Sequence, residues 1–272
     1  MSQSTAIDTT AAQAYEDYLV STLFGTWARK AVALAAPQPG ETVLDLACGT
    51  GIGARLAAPC VSPGGTIISA DSDAGMVEVG RVTAAAADLP ADVTLEWHVA
   101  PMEIPVADAS SVDLCLCLQG PNFAQDPAAG IAQIFAALKP GGRLVASFWN
   151  EYSTNKGHYA IGQALIARGM KAATKPFSLG DPALVRGMLE STGFEVEHLE
   201  TGVERIPFPS ARAFVDGVAA GAPATRHALA QLSPDDLDAF VDDVARQLEP
   251  YRTDDGLALP TSSHIVVARR PA

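Results

Sequence analysis

The chain is short of positive charge: 18 lysines and arginines stand against 31 acids, a net charge of −13. Binding along a phosphate backbone needs basic patches, so this balance weighs against nucleic acid and anionic membrane surfaces as partners. Long apolar runs are lacking as well, and none approaches the roughly 20 residues that span a bilayer. Met1-Ser2-Gln3-Ser4-Thr5 has neither the basic nor the apolar part of a secretory signal. A cytoplasmic protein acting on a small molecule is expected. Cysteine is scarce: Cys48, Cys60, Cys115 and Cys117 form neither a C-x-x-C pair nor a zinc spacing. Reduced thiols and no metal site are therefore expected. Cys115 and Cys117 alternate within Val112–Leu118, which places both on one face of a strand as small buried hydrophobes.

What is present concentrates between Val43 and Gly53, in Val-Leu-Asp-Leu-Ala-Cys-Gly-Thr-Gly-Ile-Gly. A short apolar run reads as a buried parallel strand. Gly49, Gly51 and Gly53 then let the backbone turn sharply and approach a ligand. Ala54-Arg55-Leu56-Ala57-Ala58 starts a helix whose first N–H groups point back at the same spot. Strand, glycine turn and helix at the head of an open α/β sheet make a nucleotide-type site. A dinucleotide turn has the spacing G-x-G-x-x-G and no acid before it. Here the third glycine comes one residue early and Asp45 precedes the first by four. A carboxylate there repels a pyrophosphate and suits a ligand bearing an ammonium group.

Elsewhere strands alternate with helices. A helix over 11–36 carries Tyr15, Tyr18, Leu19, Leu23, Phe24 and Trp27 at three- and four-residue steps. Strands are predicted at 42–47, 66–70, 93–99, 112–118 and 143–149. Helices are predicted at 52–58, 74–87 and 127–138, the first stopping near Pro59. This order predicts a parallel sheet with helices on both faces. After Trp149 the rhythm changes. Residues 150–178 read as mostly helical, and Asp181-Pro182 opens a helix to Thr192 that Gly193 ends. A sixth strand runs from Phe194 to Ile206, helices follow at 210–220 and 234–249, and a short last strand covers 264–269.

In this order and spacing the chain resembles the class I S-adenosylmethionine (SAM)-dependent methyltransferases, most nearly the group of the ubiquinone and menaquinone C-methyltransferases. The resemblance rests on Val43 to Gly53, on Ser69-Ala70-Asp71-Ser72-Asp73-Ala74-Gly75-Met76 and on Leu138-Lys139-Pro140-Gly141-Gly142-Arg143-Leu144. It implies a Rossmann-like, seven-stranded, mostly parallel sheet with an antiparallel last strand and a helical cap, in one domain over 1–272. Within it, 1–40 is an N-terminal helical segment, 41–149 the SAM-binding core, and 150–178 with 207–260 the substrate-side cap.

The resemblance also implies a site. Asp45 and the turn at Ala47, Cys48, Gly49 and Gly51 hold the methionine end of SAM. Asp71 takes the ribose hydroxyls, with a helix N-cap as its other reading. Ser72 and Met76 flank the adenine, although Met76 fits a core position equally. The family's usual aspartate after the third strand is missing; Ala100, Pro101 and Met102 stand there, leaving backbone groups and the Met102 side chain to meet the adenine. Gln119, in the loop after the fourth strand, meets the SAM amino acid or the substrate, or faces water. Tyr15 and Tyr18 close over SAM, or are plain core.

Methyl transfer from a sulfonium chiefly needs alignment, and a base only where the nucleophile must lose a proton. Among His98, His158, His227 and His264, His158 has the best address for that role, in the cap near Tyr152 and Tyr159. The expected acceptor is a small organic molecule: aromatic, quinone-like or another secondary metabolite. A SAM-binding protein without turnover is the alternative. A nicotinamide-dependent oxidoreductase is disfavoured by the glycine spacing.

Overall fold

The computed structural model describes residues 7–272; Met1 to Thr5, read above for a leader, lie outside the described residues. The N-terminal helix is built in three parts. Helix α1 (Thr10–Tyr15) passes into a π-helical stretch at Glu16–Phe24 and then into α2 (Gly25–Ala35). The wide coil closes where Gly25 N–H donates to the Val20 carbonyl. A Cβ on residue 25 would lie 2.6 Å from that oxygen, so glycine is required there.

The sheet grows from β1 (Thr42–Leu46) outward. It continues through β2 (Thr66–Asp71), β3 (Thr94–Val99), β4 (Val112–Leu118), β5 (Leu138–Trp149), β6 (Glu195–Phe208), the two-residue β7 (Arg252–Thr253) and β8 (Gly256–Arg269). Its order is β3-β2-β1-β4-β5-β8-β6, with β7 attached to β8. The first five strands pair in parallel, and β8 lies antiparallel between β5 and β6. The expected seven-stranded sheet with one antiparallel strand is therefore present, with β7 as a short addition. The strand order reverses between β1 and β4, which opens a crevice at their carboxyl ends.

Both faces are covered. Val43, Ile67, Leu114 and Leu116 pack toward α2 and α3 (Ile52–Val61), whereas Leu44, Leu46, Cys115 and Cys117 pack on the opposite side, with residues of α5 (Pro127–Ala137) and α7 (Pro182–Thr192). The alternation within β1 and β4 is the period of two of a strand buried on both faces. The two cysteines do share a face, buried, and all four thiols are free. Helix α3 runs on through Pro59 to Val61 because Ala57, Ala58 and Val61 keep its inner face fully buried, which outweighs the one lost N–H. Helix α4 (Ala74–Ala86) follows β2, capped by Asp73.

Strand β8 is longer than the sequence suggested, whereas β6 lies close to its expected bounds and ends two residues later. Their paired parts Val203–Phe208 and Leu257–Ser262 run past β5 as a ribbon. Onto these strands pack α6 (Lys156–Ile166) and α8 (Ala211–Gly221), and against those two helices lie a short α9 (Pro223–Leu229) not foreseen above, on α8, and α10 (Pro234–Leu248), on both. Ile206, Phe208 and Leu259 share one apolar cluster with Ala160, Phe214, Phe240 and Val244, so the cap joins the core directly. Among the described residues no helix is long and apolar enough to cross a membrane.

Candidate active site

The loop after β1 is shaped by positive φ at Ala47 (56°), Gly49 (55°) and Gly51 (77°). Two backbone bonds hold it, Cys48 N to the Ala70 carbonyl at 3.0 Å and Gly51 N to the Cys48 carbonyl at 2.8 Å. A Cβ at Gly51 would also sit 2.5 Å from Cη2 of Trp97, which reaches under the loop from β3. Gly53 has a different task. A Cβ there would lie 2.8 Å from both carboxylate oxygens of Asp45, so the glycine makes room for the acid.

Asp45 is 2% exposed and accepts from the Ala54 amide, in the first turn of α3, at 2.8 Å. Burial pushes its carboxyl up to about 7, against the downward pull of that amide, and Asp71 adds to the rise. Asp71 ends β2 and accepts from Gly49 N at 2.9 Å and from Asp73 N at 3.0 Å. It too is raised by burial. The N-cap of α4 is Asp73, which accepts from Gly75 and Met76, so Asp71 is not spent on capping. A carboxylate has more acceptor positions than these bonds use.

Around this pair the sequence-predicted residues divide. Ala47, Cys48, Asp45, Gln119 and Tyr15 line one cavity with Phe24, Trp27, Leu118 and Ser147. Ser72 is exposed at the rim, Met76 half-buried, Ala100 half-buried with its amide on the Asp71 carbonyl at 2.9 Å, and Pro101 exposed. Met102 departs from its expected place: its side chain turns inward against Gly130 of α5 and belongs to the core. Tyr18 departs too. It is 56% exposed and rests on Gly217 of α8, away from the cavity. The π coil turns each residue by less than an α-helix does, so two residues three apart no longer share a face.

Tyr15 covers the loop: a Cβ at Gly49 would lie 3.6 Å from its Cε1. A group of residues the sequence reading missed fastens it there. Glu16 pairs with Arg55 Nη2 at 2.6 Å and accepts from the Thr50 hydroxyl, while Arg55 Nη1 donates to the Thr50 carbonyl at 2.5 Å. The clue was a lone basic residue after the glycines with no stated partner. With Tyr15 in place the cavity holds about 30 Å³, space for a water or two.

From Tyr15 a run of aromatic rings leads into the cap. Its neighbouring pairs are Tyr15–Phe24 (4.9 Å), Phe24–Trp149 (5.8 Å), Trp149–His158 (6.5 Å) and His158–Phe177 (5.5 Å). Phe214 closes on His158 from α8 at 5.6 Å. The His158 imidazole has no hydrogen-bond partner among the described residues, and its apolar surroundings push its pKa down to about 4. The other histidines named above are placed differently. His264 is held on both ring nitrogens, by Thr201 and the Gly180 carbonyl; His98 sits on β3 beside Glu96; His227 is exposed on α9.

The lining suits a cationic ligand with a diol. Asp45 and the side-chain oxygen of Gln119, which is buried without a partner, present acceptors, and Asp71 offers a carboxylate beside the loop. At about 30 Å³ the cavity must widen to take such a ligand, since sites for molecules of nucleoside size run to about 300 Å³ or more.

Residues 44–146 match the family described as methyltransferase domain. The chain is 37% identical over 119 residues to a demethylmenaquinone methyltransferase of Symbiobacterium thermophilum, covering 44% of this chain and 47% of that one. It is 30% identical over 182 residues to the protein of that name in Clavibacter sepedonicus, covering 66% and 65%. The chain thus spans less than two thirds of the length of these curated relatives. The solved structure of Haemonchus contortus phosphoethanolamine N-methyltransferase 2, in complex with phosphomonomethylethanolamine and S-adenosylhomocysteine, matches with a TM-score of 0.59 at 19% identity, covering 97% of this chain and 58% of that. At that identity the likeness is one of fold.

Proposed function

We propose that the chain is a class I SAM-dependent methyltransferase related to the ubiquinone and menaquinone C-methyltransferases, and that it transfers the methyl group of SAM to a small organic acceptor. The single observation behind this reading is the pair of carboxylates set around one glycine loop. Asp45 stands behind the turn and Asp71 is tied to Gly49 N at its front. SAM, when bound, supplies an electrophilic methyl group on a sulfonium.

The chain's own residues would hold and align it. Asp45 and Gln119 receive the ammonium group, and the backbone of Ala47, Cys48, Gly49 and Gly51 lies along the methionine end. Asp71 accepts from the ribose hydroxyls. Ser72, Met76, Ala100 and Pro101 form the rim for the base. Tyr15 closes over the top and excludes water. Positioning of this kind supplies several kcal/mol, up to about 7–11 in well-oriented models.

For the acceptor, the aromatic run from Phe24 to Phe214 supports a flat, aromatic or quinone-like molecule, in keeping with the relatives' names. His158 is the base: its imidazole is unpaired and neutral near pH 7, so it can take a proton from a hydroxyl or an activated carbon. The whole chain acts as one domain, in the cytoplasm, on a small molecule without nucleic acid or membrane as partner. The missing carboxylate at Ala100–Met102 favours one second reading, a protein that binds SAM without turnover.

Calorimetry with S-adenosylhomocysteine tests the proposal. Binding to the native protein is expected, and Asp71→Ala should weaken it at least about tenfold. Unchanged affinity in that variant would remove the ribose role. Methylated product from an aromatic acceptor screen separates the enzyme from the binder.

A further inference from the structure

Gln119 closes β4 in the left-handed region (φ 62°), a conformation that a residue with a Cβ adopts only when its surroundings enforce it. It is 4% exposed. Its side chain is held from the far end of the chain, where Nε2 donates to Ser263 Oγ of β8 at 2.9 Å. Ser263 is fully buried, and its hydroxyl donates to the Phe148 carbonyl at 2.8 Å.

A hydroxyl has one proton. With that proton on the Phe148 carbonyl, or on the His264 carbonyl at 3.2 Å, Ser263 can only accept from Gln119. The amide must therefore turn its NH2 end to Ser263 and its oxygen the other way. The reverse orientation would take the proton from Phe148 and direct two N–H donors at the cavity that Asp45 lines. Gln119 lines that cavity, and its Oε1 is buried with no partner among the described residues. A buried acceptor without a donor is unfavourable, and a ligand N–H relieves it.

We infer that Ser263 is a positioning residue: it fixes the polarity of the Gln119 amide so that Oε1 joins Asp45 as an acceptor for the ammonium group of the methyl donor. This rests on the cofactor reading proposed above. It assigns a site role to the last strand, whose residues are not among those lining the cavity, and it makes the cavity selective for a protonated amine. Asn122, in the same loop, also leaves a buried side-chain oxygen unpaired, but it is tied to the Pro176 carbonyl and is not among the cavity's lining residues.

The test compares S-adenosylhomocysteine with its analogue lacking the α-amino group, by calorimetry. The native protein should prefer the amine by about tenfold, the worth of a charge-assisted hydrogen bond. Ser263→Ala and the volume-keeping Gln119→Leu should each reduce that preference to about twofold. Ser263→Ala should cause no further loss in the Gln119→Leu background, because one residue acts through the other. Ser263→Cys, similar in volume and a poor acceptor, takes the place of Ser263→Ala if the latter does not fold. A native-like preference in the Ser263 variant, or additive losses in the double variant, would overturn the inference. If the native protein binds both compounds equally, the ammonium contact is wrong while the cofactor reading stands. If it binds neither, the cofactor reading itself fails.

Discussion

Glu16 and Arg55 join the N-terminal segment to the glycine loop: a carboxylate on the π-helical stretch meets a guanidinium in the first turns of α3 at 2.6 Å, both side chains largely shielded from water. Because Tyr15 is the preceding residue, this pair decides whether the cavity is closed. Opening it exchanges a shielded charge pair for two solvated ions, a change of about 1–3 kcal/mol. Glu16→Gln should therefore speed both association and release of S-adenosylhomocysteine severalfold in stopped-flow measurements, with a smaller change in equilibrium affinity. Unaltered rates would mean that the segment does not gate the site.

Asp45 sets a pH dependence. Its carboxyl titrates near 7 in the ligand-free protein, raised by burial, and Asp71 is raised in the same direction. An ammonium ligand favours the ionised form, so binding lowers the pKa and releases a proton. Affinity for S-adenosylhomocysteine should thus rise with pH toward 7 and level off above it. Asp45→Asn should flatten that rise and bind more weakly at pH 8. Calorimetry in buffers of different ionisation heat reads the released proton directly.

Gly53 tests the steric part of the loop. A methyl group there meets both Asp45 oxygens at 2.8 Å and must push the carboxylate off the Ala54 amide. Gly53→Ala should destabilise the fold by about 1–3 kcal/mol, in the range of an overpacked core position, and should weaken ligand binding as well. Thermal unfolding with and without S-adenosylhomocysteine checks both effects.

His158 leaves a mark on stability. Its folded pKa, about 4, lies below the ordinary value of 6.5. Between those values the unfolded chain binds the proton and the folded one does not, so stability is full above about 6.5 and is lost as pH falls toward 4. His158→Phe should flatten this acid limb in melting curves. With an acceptor in hand, the same variant should lower kcat about a hundredfold or more, the usual share of a general base, while moving KM less.

Much of this fold was legible because β1 and β4 are buried on both faces and so read as apolar runs, each broken by a single aspartate, Asp45 or Asp113. The Asp45-led glycine loop was legible because its spacing is local. The first half of β8 was not. Pro260, Thr261, Ser262 and Ser263 look like a loop, and only pairing with the distant β6, as between Ser262 and Val203, makes them a strand. Tyr18 was misplaced because an α-helical period was assumed where the backbone is a π coil. Met102 was misplaced because its neighbour Gly130 offers a gap that only the packed α5 reveals. Likewise nothing near Gln119 in sequence announces Ser263.

The most direct measurement of the central claim is a titration of S-adenosylhomocysteine into the native protein and into Asp71→Ala. The account predicts saturable one-to-one binding to the native protein and at least about tenfold weaker binding to the variant. No binding to the native protein, or equal binding to both, would contradict it.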